Sequence, residues 1–235
     1  MSDEIDYDAI CEEYNNLPCK QGHFLAPKWP FMMIISGPTG CGKSTVVLDL
    51  IVKYLYFDRL YIFANEQDED KYEFIREFMQ EIANKREVHL NDILFIGGYD
   101  DIPSPSAYDP EYQNLVVFDD MVTERDQKKI EETYTFGRKR NCSVIYITQS
   151  FIDVPKIIRK QSKYFVIFSV SDEEAMNIRK KAGSRLPQED FLKTFHEATD
   201  NLHDWLLIDN KTPDLPLAFR KKLTGLLDAS KLSGR

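Results

Sequence analysis

The chain has 235 residues, which is enough for one large α/β domain or two small ones. With 43% hydrophobic residues, 12 Tyr and 15 Phe, it can bury a substantial core, and this composition excludes a disordered chain. The acidic start, MSDEIDYDAICEEY, predicts no secretory signal, and no apolar run approaches the ~20 residues of a membrane-spanning helix.

The formal net charge of −9 argues at first against a nucleic-acid partner, but the charges are unevenly distributed. Residues 1–118 carry 9 basic and 21 acidic side chains, whereas residues 119–235 carry 21 and 18. Between residues 135 and 185 there are 11 basic and 4 acidic side chains. This asymmetry allows a local basic surface on an acidic protein, although ordinary solvated helix faces explain the same pattern.

Cysteine usage indicates a reducing compartment. The four cysteines form no Cys-x-x-Cys pair, so we expect free thiols. They are Cys11, Cys19, Cys41 and Cys142.

Residues 1–30 show little periodicity and predict an N-terminal extension. We then expect a buried strand at 31–36, a helix at 43–56 that opens at the glycine turn, a second strand at 59–64 and an amphipathic helix at 69–85. A short strand at 92–98 and a turn-rich loop at 104–110 follow.

The second half repeats this alternation. We expect strands at 114–120, 142–149, 163–170 and 204–210, and helices at 123–136, 172–182 and 187–198. Continuous apolar strands that alternate with helices indicate a mainly parallel sheet covered on both faces, within one domain over 31–210. Residues 211–235 predict a polar tail on the surface.

A phosphate-binding loop follows the first strand. GPTGCGKS fits G-x-x-x-x-G-K-[ST], and its place between a strand and a helix favours a nucleotide site over a plain glycine-rich turn. Lys43 is expected at the β- and γ-phosphates, Ser44 at Mg²⁺ and Thr45 at the α-phosphate. The predicted phosphate-binding residues are Gly37, Pro38, Thr39, Gly40, Cys41, Gly42, Lys43, Ser44 and Thr45.

Carboxylates follow the strand LVVFDD. Asp119 is expected at the carboxyl edge of the sheet, where it would hold Mg²⁺ through water. Asp120 is the candidate catalytic base for an attacking water, with helix N-capping as its alternative role. Glu124 is a rival for the base.

Polar residues also end the strand VIYITQ. Gln149 is expected between the carboxylates and the γ-phosphate, where its amide can contact both water and phosphate. The alternative interpretation is that Gln149 lies in an ordinary loop at the end of the strand and has no functional role.

Arginines precede that same strand. Arg138 and Arg140 are predicted at the sheet edge away from this chain's own phosphates, so they fit a finger given in trans to a neighbour as well as they fit a solvated basic turn. Arg159, on the loop predicted after Gln149, is a further candidate.

With these motifs in place, the chain resembles the FtsK–HerA branch of P-loop ATPases. It is most similar to the genome-packaging ATPases of large nucleocytoplasmic DNA viruses, poxviruses included, and of their virophage and polinton relatives. The resemblance rests on GPTGCGKS, LVVFDDM and the run from GRKRN through SVIYITQSFIDVPKIIRKQS, and it covers residues 30–210.

The resemblance implies an additional-strand, RecA-like P-loop core, α/β/α in three layers, with strand order 5-1-4-3-2. It implies a pentameric or hexameric homo-oligomer ring that hydrolyses ATP with Mg²⁺ and pulls double-stranded DNA into a capsid, touching a capsid or portal-vertex protein. It places the protein in the host cytoplasm or the virion, with no membrane partner. One departure concerns the strand end, where the superfamily usually has Asp-Glu and this chain has Asp119-Asp120.

Other functions share parts of these motifs. A nucleoside or small-molecule kinase starts with the same loop, and IRKKAGSR (178–185) could imitate its lid, but adjacent carboxylates and a Thr-Gln strand end suit water attack better. A GTPase needs Asn-Lys-x-Asp, and NKTP at 210–213 lacks the Asp. Intact Lys43, Ser44 and Asp119 disfavour a non-catalytic partner protein, whereas a related helicase or translocase shares nearly all motifs.

Overall fold

A nine-stranded sheet organises the computed structural model, which describes residues 25–67, 70–124 and 126–227. Most of the predicted N-terminal extension, with Cys11 and Cys19, lies outside these residues. The strands are β1 (Met32–Ser36), β2 (Arg59–Ala64), β3 (Leu94–Gly97), β4 (Asn114–Asp119), β5 (Cys142–Thr148), β6 (Tyr164–Phe168), β7 (Trp205–Asp209), β8 (Phe219–Lys221) and β9 (Gly225–Leu226).

Helices fill the connections between the strands. They are α1 (Lys43–Asp49), which continues as a π-helical turn (Leu50–Tyr54), α2 (Asp70–Arg86), α3 (Leu90–Ile93), α4 (Lys128–Phe136), α5 (Lys156–Gln161), α6 (Asp172–Lys181), α7 (Gln188–Ala198) and α8 (Leu215–Ala218). Three 3₁₀ turns complete the set, at Pro105–Ala107, Met121–Thr123 and Gly137–Arg140. None of the helices in the described ranges is long and apolar enough to cross a membrane.

The sheet runs β3-β2-β4-β5-β1-β6-β7-β8-β9. The first six strands in this order are parallel, and β7, β8 and β9 are antiparallel. If only β1, β2, β4, β5 and β6 are counted, the order is the expected 5-1-4-3-2. The observed sheet is larger, because β3 adds to one edge and three antiparallel strands add to the other.

Buried side chains lie on both faces of the sheet. β1 shows the reason, since Met33 and Ile35 face one hydrophobic cluster while Met32 and Ile34 face the other. Helices α1 and α2 cover the first face, and α4 to α7 cover the second. This confirms the three-layer α/β/α architecture and explains why the central strands are apolar throughout.

Four predicted segments differ from the structure. The strand expected over 92–98 begins only at Leu94, because the residues before it form helix α3. The helix expected over 123–136 begins only at Lys128, because Asp120 adopts a left-handed conformation and a 3₁₀ turn follows it. The loop expected after Gln149 contains helix α5, which starts directly after Pro155. The helix expected over 43–56 changes to π-helical geometry at Leu50.

The largest difference from the prediction concerns the C-terminal residues, which were expected to form a polar tail on the surface. From Phe219 the chain forms β8 and β9 and extends the sheet past β7. Phe219 is fully buried, and so is Arg220, whose guanidinium lies 3.7 Å from the Asp209 carboxylate and donates to the carbonyls of Leu25 and Leu223. Burial lowers the pKa of Arg220, with Asp209 opposing that effect.

Candidate functional site

The loop between β1 and α1 has the backbone of a phosphate cradle. Gly40 and Gly42 have φ values of 78° and 105°, which favour glycine. A Cβ added at Gly37 would lie 2.6 Å from the Cβ of Phe168, so this position has no room for a side chain. The three glycines therefore allow the conformation of this loop, in which successive backbone N–H groups can point towards an anion.

The side chain of Lys43 folds back onto this loop. Its Nζ donates to the carbonyl oxygens of Gly37 at 2.7 Å and Pro38 at 2.9 Å. The ammonium thus lies against the predicted phosphate-binding loop and lines the same cleft.

The carboxyl ends of β1, β4 and β5 meet at one edge of the sheet. A cleft of about 670 Å³ opens there between the loop and the two strand ends. Its lining residues are Thr39, Gly40, Gly42, Lys43, Ser44, Thr45, Asn65, Glu66, Lys71, Tyr72, Asp119, Asp120, Thr123, Ile147, Gln149 and His203. The structure therefore brings together most of the predicted phosphate, metal, base and sensor residues.

Asp119 is anchored by helix α2. Its Oδ2 accepts from the hydroxyl of Tyr72 at 2.7 Å and lies 2.9 Å from the Nζ of Lys71. Both of these contacts are made to Oδ2. The carboxylate is thus held in a fixed orientation at the end of β4.

Sequence reasoning missed these two anchors. Tyr72 has the helical spacing of the apolar face of α2, and its ring is indeed buried in the core. Lys71 could have indicated this contact, because it is a basic residue near the start of a helix that follows the end of a strand.

Asp120 and Gln149 are directly connected. The Nε2 of Gln149 donates to the Oδ2 of Asp120 at 2.7 Å, and the hydroxyl of Thr39 donates to the Oε1 of Gln149 at 3.1 Å. This relay links the P-loop to the acidic strand end.

The backbone of Asp120 distinguishes its two predicted roles. It has φ of 52° and precedes the 3₁₀ turn Met121–Thr123, but its side chain makes no capping hydrogen bond. Its carboxylate instead turns to Gln149. Glu124 lies beyond Thr123, outside the residues that line the cleft.

The candidate arginines lie away from this cleft. Arg138 and Arg140 are in the turn before β5, at the opposite edge of the sheet, as predicted. Arg140 donates to the carbonyls of Tyr108 at 2.9 Å and Ser106 at 2.7 Å, so it braces a loop of its own chain. Arg138 is exposed.

Arg159 also makes hydrogen bonds within its own chain. It is in α5, and its Nη1 donates to the carbonyls of Phe151 and Ile152 in the loop after Gln149. It therefore holds the segment that follows the sensor strand.

The oxygen donors in the cleft fit a magnesium ion. Within the described parts of the chain, no three His, Cys, Asp or Glu side chains group as a complete protein site for a metal. Asp119 and Ser44 line the same cleft, however, and nucleotide-bound Mg²⁺ takes one or two protein oxygens beside phosphates and waters.

Two buried cysteines are free thiols. Burial raises the pKa of Cys41, within the P-loop, against the opposing charge of Lys43. Burial likewise raises the pKa of Cys142 to about 12. Both thiols are therefore poor nucleophiles near neutral pH.

The family model described as Poxvirus A32 protein matches residues 24–210. The chain belongs to this family. The match confirms the poxvirus-type resemblance that the P-loop, the acidic strand end and the Thr-Gln strand carry in the sequence.

Two curated relatives are 22% identical to the chain over 169 residues. They are the DNA packaging proteins OPG160 of Variola virus and of Vaccinia virus (strain Copenhagen). Each match covers 70% of this chain and 63% of the relative, so the chain spans less than two thirds of the length of the curated relatives it matches.

Solved structures share the fold. The genome packaging NTPase B204 of Sulfolobus turreted icosahedral virus 2, in complex with AMPPCP, matches with a TM-score of 0.54 and 14% identity over 84% of this chain and 99% of that chain. B204 of Sulfolobus turreted icosahedral virus, described as a DNA-packaging ATPase, gives 0.53 and 14% over 79% and 95%. These likenesses confirm the P-loop α/β fold class.

Proposed function

We propose that this member of the Poxvirus A32 protein family is an ATPase that drives double-stranded DNA into a viral capsid. One observation carries the proposal: a single cleft joins a P-loop lysine to the acidic end of β4 and the amide of Gln149. The names of a similar protein, DNA packaging protein, and of a structurally similar protein, genome packaging NTPase, support the same assignment.

The roles of the residues follow from their places in the cleft. Lys43 and the loop amides bind the β- and γ-phosphates, and Thr45 contacts the α-phosphate. Ser44 and Asp119 would hold Mg²⁺, which when bound neutralises charge on the phosphate oxygens.

Asp120 acts on water. Its carboxylate accepts the proton of the attacking water, and Gln149 orients the carboxylate through their 2.7 Å hydrogen bond. Because Gln149 also contacts Thr39 of the P-loop, the relay connects the state of the γ-phosphate to the end of β5.

The DNA surface is proposed on the basic second half of the chain. Lys156 and Lys160 are exposed and four residues apart on α5, and the exposed Lys163 follows that helix. A grip on phosphates alone is indifferent to sequence, as movement along any genome requires.

The proposed assembly is a pentameric or hexameric ring that works at a capsid or portal vertex during virion assembly. Its support is the location of Arg138, exposed at the sheet edge away from its own cleft, where a phosphate would have to belong to a neighbour.

The test is ATP turnover measured across protein concentrations at low salt, with and without long double-stranded DNA. We expect turnover per subunit to rise steeply with concentration and again with DNA. Turnover that ignores both would contradict a DNA-driven ring, and phosphoryl transfer to nucleosides would then be assayed to test the kinase alternative. Lys43→Ala is expected to remove turnover while the far-ultraviolet circular dichroism spectrum stays unchanged.

A further inference from the structure

A lysine lies beside the proposed metal ligand in the catalytic cleft. Lys71, the second residue of α2, lines the cleft together with Lys43 and Asp119. Its Nζ lies 2.9 Å from the Oδ2 of Asp119. Because an ammonium group repels any other cation at the same carboxylate, Lys71 opposes metal binding at the residue that is proposed to hold Mg²⁺.

This ion pair is partly shielded from water. The side chains of Lys71 and Asp119 are 17% and 10% exposed. By contrast, the side chains of Lys128 and Glu132 are 75% and 38% exposed, and their charged atoms lie 4.0 Å apart. Charges attract each other more strongly, and salt screens them less, where water is partly excluded. The ammonium of Lys71 therefore balances the charge of Asp119 much more effectively than an ion pair on the surface could.

Helix α2 fixes the position of Lys71. The next residue, Tyr72, is buried, and its hydroxyl donates to the same Oδ2 of Asp119 at 2.7 Å. The Nζ of Lys71 lies 4.8 Å from the centroid of the Tyr72 ring. Further along the helix, Ile75 and Met79 are buried in the core. The start of α2 is thus held at the end of β4, with the ammonium of Lys71 against Asp119.

The balance of charge in the cleft depends on what binds there. Carboxylates line it at Glu66, Asp119 and Asp120, and ammonium groups line it at Lys43 and Lys71. Since Lys71 balances the charge of Asp119, this carboxylate alone attracts a divalent cation only weakly. A triphosphate changes the balance, because its oxygens bring several negative charges and themselves act as magnesium ligands.

We propose that Lys71 makes metal binding depend on the nucleotide. Its ammonium keeps a lone divalent cation away from Asp119, so the metal binds firmly only together with a triphosphate. Lys71 is a positioning residue in this scheme, because it acts through Asp119 and not on the reacting phosphate. The assignment rests on the proposed function, which takes Asp119 as a ligand of Mg²⁺.

Tyr72 and Lys71 should have opposite effects, although both contact the same carboxylate oxygen. The hydroxyl of Tyr72 is neutral and orients Asp119 without repelling a metal, so its loss should weaken metal binding. The ammonium of Lys71 carries a charge, so its loss should strengthen metal binding. The sign of the change therefore separates a role of Lys71 in charge balance from one in geometry alone.

The experiment measures Mn²⁺ binding to the full chain in the absence of nucleotide, by electron paramagnetic resonance of the unbound ion. Mn²⁺ is a suitable probe because it takes the same oxygen ligands as Mg²⁺. Lys71→Met keeps an unbranched side chain and removes the charge, and it should lower the Kd for Mn²⁺ about 10-fold. Lys71→Arg keeps the charge and should stay within about threefold of wild type.

Nucleotide binding should respond differently. Calorimetric titration with Mg·AMPPCP should give Kd values within about threefold of each other for wild type and Lys71→Met. The reason is that Lys71 attracts the phosphates of this complex while it repels the metal, so the two effects offset each other.

Two further variants serve as controls. Lys128→Met also removes a lysine that is paired with a carboxylate, but on the exposed face of α4, and it should leave Mn²⁺ binding unchanged. Asp119→Asn added to Lys71→Met should abolish the gain in Mn²⁺ affinity, which locates the ion at Asp119. Circular dichroism shows whether each variant is folded.

Several results would overturn the assignment. Mn²⁺ binding by Lys71→Met that is unchanged or weaker would mean that Lys71 only orients Asp119. Equal gains in Lys71→Met and Lys71→Arg would exclude charge as the cause, and a gain that survives Asp119→Asn would place the ion elsewhere. If neither wild type nor any variant binds Mg·AMPPCP, the proposed function fails, and dependence of the metal on the nucleotide fails with it, even where Mn²⁺ binding responds to Lys71.

Discussion

Asp120 has a left-handed backbone that Asp and Asn tolerate better than most residues, and its carboxylate accepts from Gln149. Asp120→Asn preserves the size and backbone preference of the side chain but removes its basicity. We expect kcat to fall about 10²- to 10⁴-fold with nucleotide affinity retained, measured as steady-state turnover and calorimetric binding. A comparable loss in Glu124→Gln, with Asp120→Asn active, would assign the base to the rival carboxylate.

The Tyr72→Phe variant tests whether helix α2 orients Asp119 for binding Mg²⁺. Tyr72→Phe removes the hydroxyl that donates to Asp119 Oδ2 and leaves the buried ring in place. Because partners behind a metal ligand tune its affinity, we expect about 10-fold more Mg²⁺ to be needed for half-maximal turnover. Magnesium titrations at saturating ATP measure this change.

Tyr134→Phe is the control for this prediction, since its buried hydroxyl donates to the carbonyl of Met33, away from the cleft. If both variants shift the magnesium requirement equally, the effect of Tyr72 is one of general stability.

At the scale of elements, β8 depends on one buried cation. Arg220 joins β8 to Asp209 of β7 and to the carbonyls of Leu25 and Leu223. Arg220→Met fills similar space but leaves Asp209 without this charge, so we expect the free energy of unfolding to fall by about 2–4 kcal/mol. Urea unfolding followed by circular dichroism measures it.

The exposed Arg76 of α2 provides the comparison. Arg76→Met should change stability by less than about 0.5 kcal/mol, as is usual for surface positions. If Arg220→Met unfolds at the wild-type urea concentration, β8 contributes little to the stability of the sheet.

The same elements show what could be predicted from the sequence. The parallel strands were predictable because each is a continuous apolar run, and the site was predictable because Asp119 and Gln149 end neighbouring strands whose carboxyl ends meet. Strand β8 was not predictable, because it has only three residues and two of them, Arg220 and Lys221, are charged. The burial of Arg220 depends on Asp209, a tertiary partner that local periodicity does not contain.

At the scale of the whole molecule, the proposed function requires an acidic protein to bind an acidic polymer through a limited basic surface. Replacing Lys156, Lys160 and Lys163 with Gln should reduce the salt dependence of DNA binding, lowering the slope of log K against log salt by about 3. The matched control replaces three exposed lysines from other elements, Lys85, Lys128 and Lys193, so that the net charge changes equally. Equal slopes for the two triple variants, measured by fluorescence anisotropy, would contradict the proposed DNA surface.

The last prediction concerns completion of the site by a neighbour. The seven residues of β5 separate Arg138 from its own cleft by about 20 Å, so an arginine finger at this position can serve only another subunit. Lys43→Ala and Arg138→Ala should each be inactive alone. Mixing them should restore ATP turnover, because about a quarter of the interfaces in random rings pair an intact P-loop with an intact arginine.

Arg140→Ala is the informative comparison for the mixed rings. Since Arg140 braces Ser106 and Tyr108 within its own chain, its loss should lower stability, and mixing should not repair it. Recovery with Arg138→Ala alone would identify the finger, and recovery with Arg140→Ala alone would transfer that role. No recovery at any mixing ratio would contradict completion of the cleft by a neighbouring subunit.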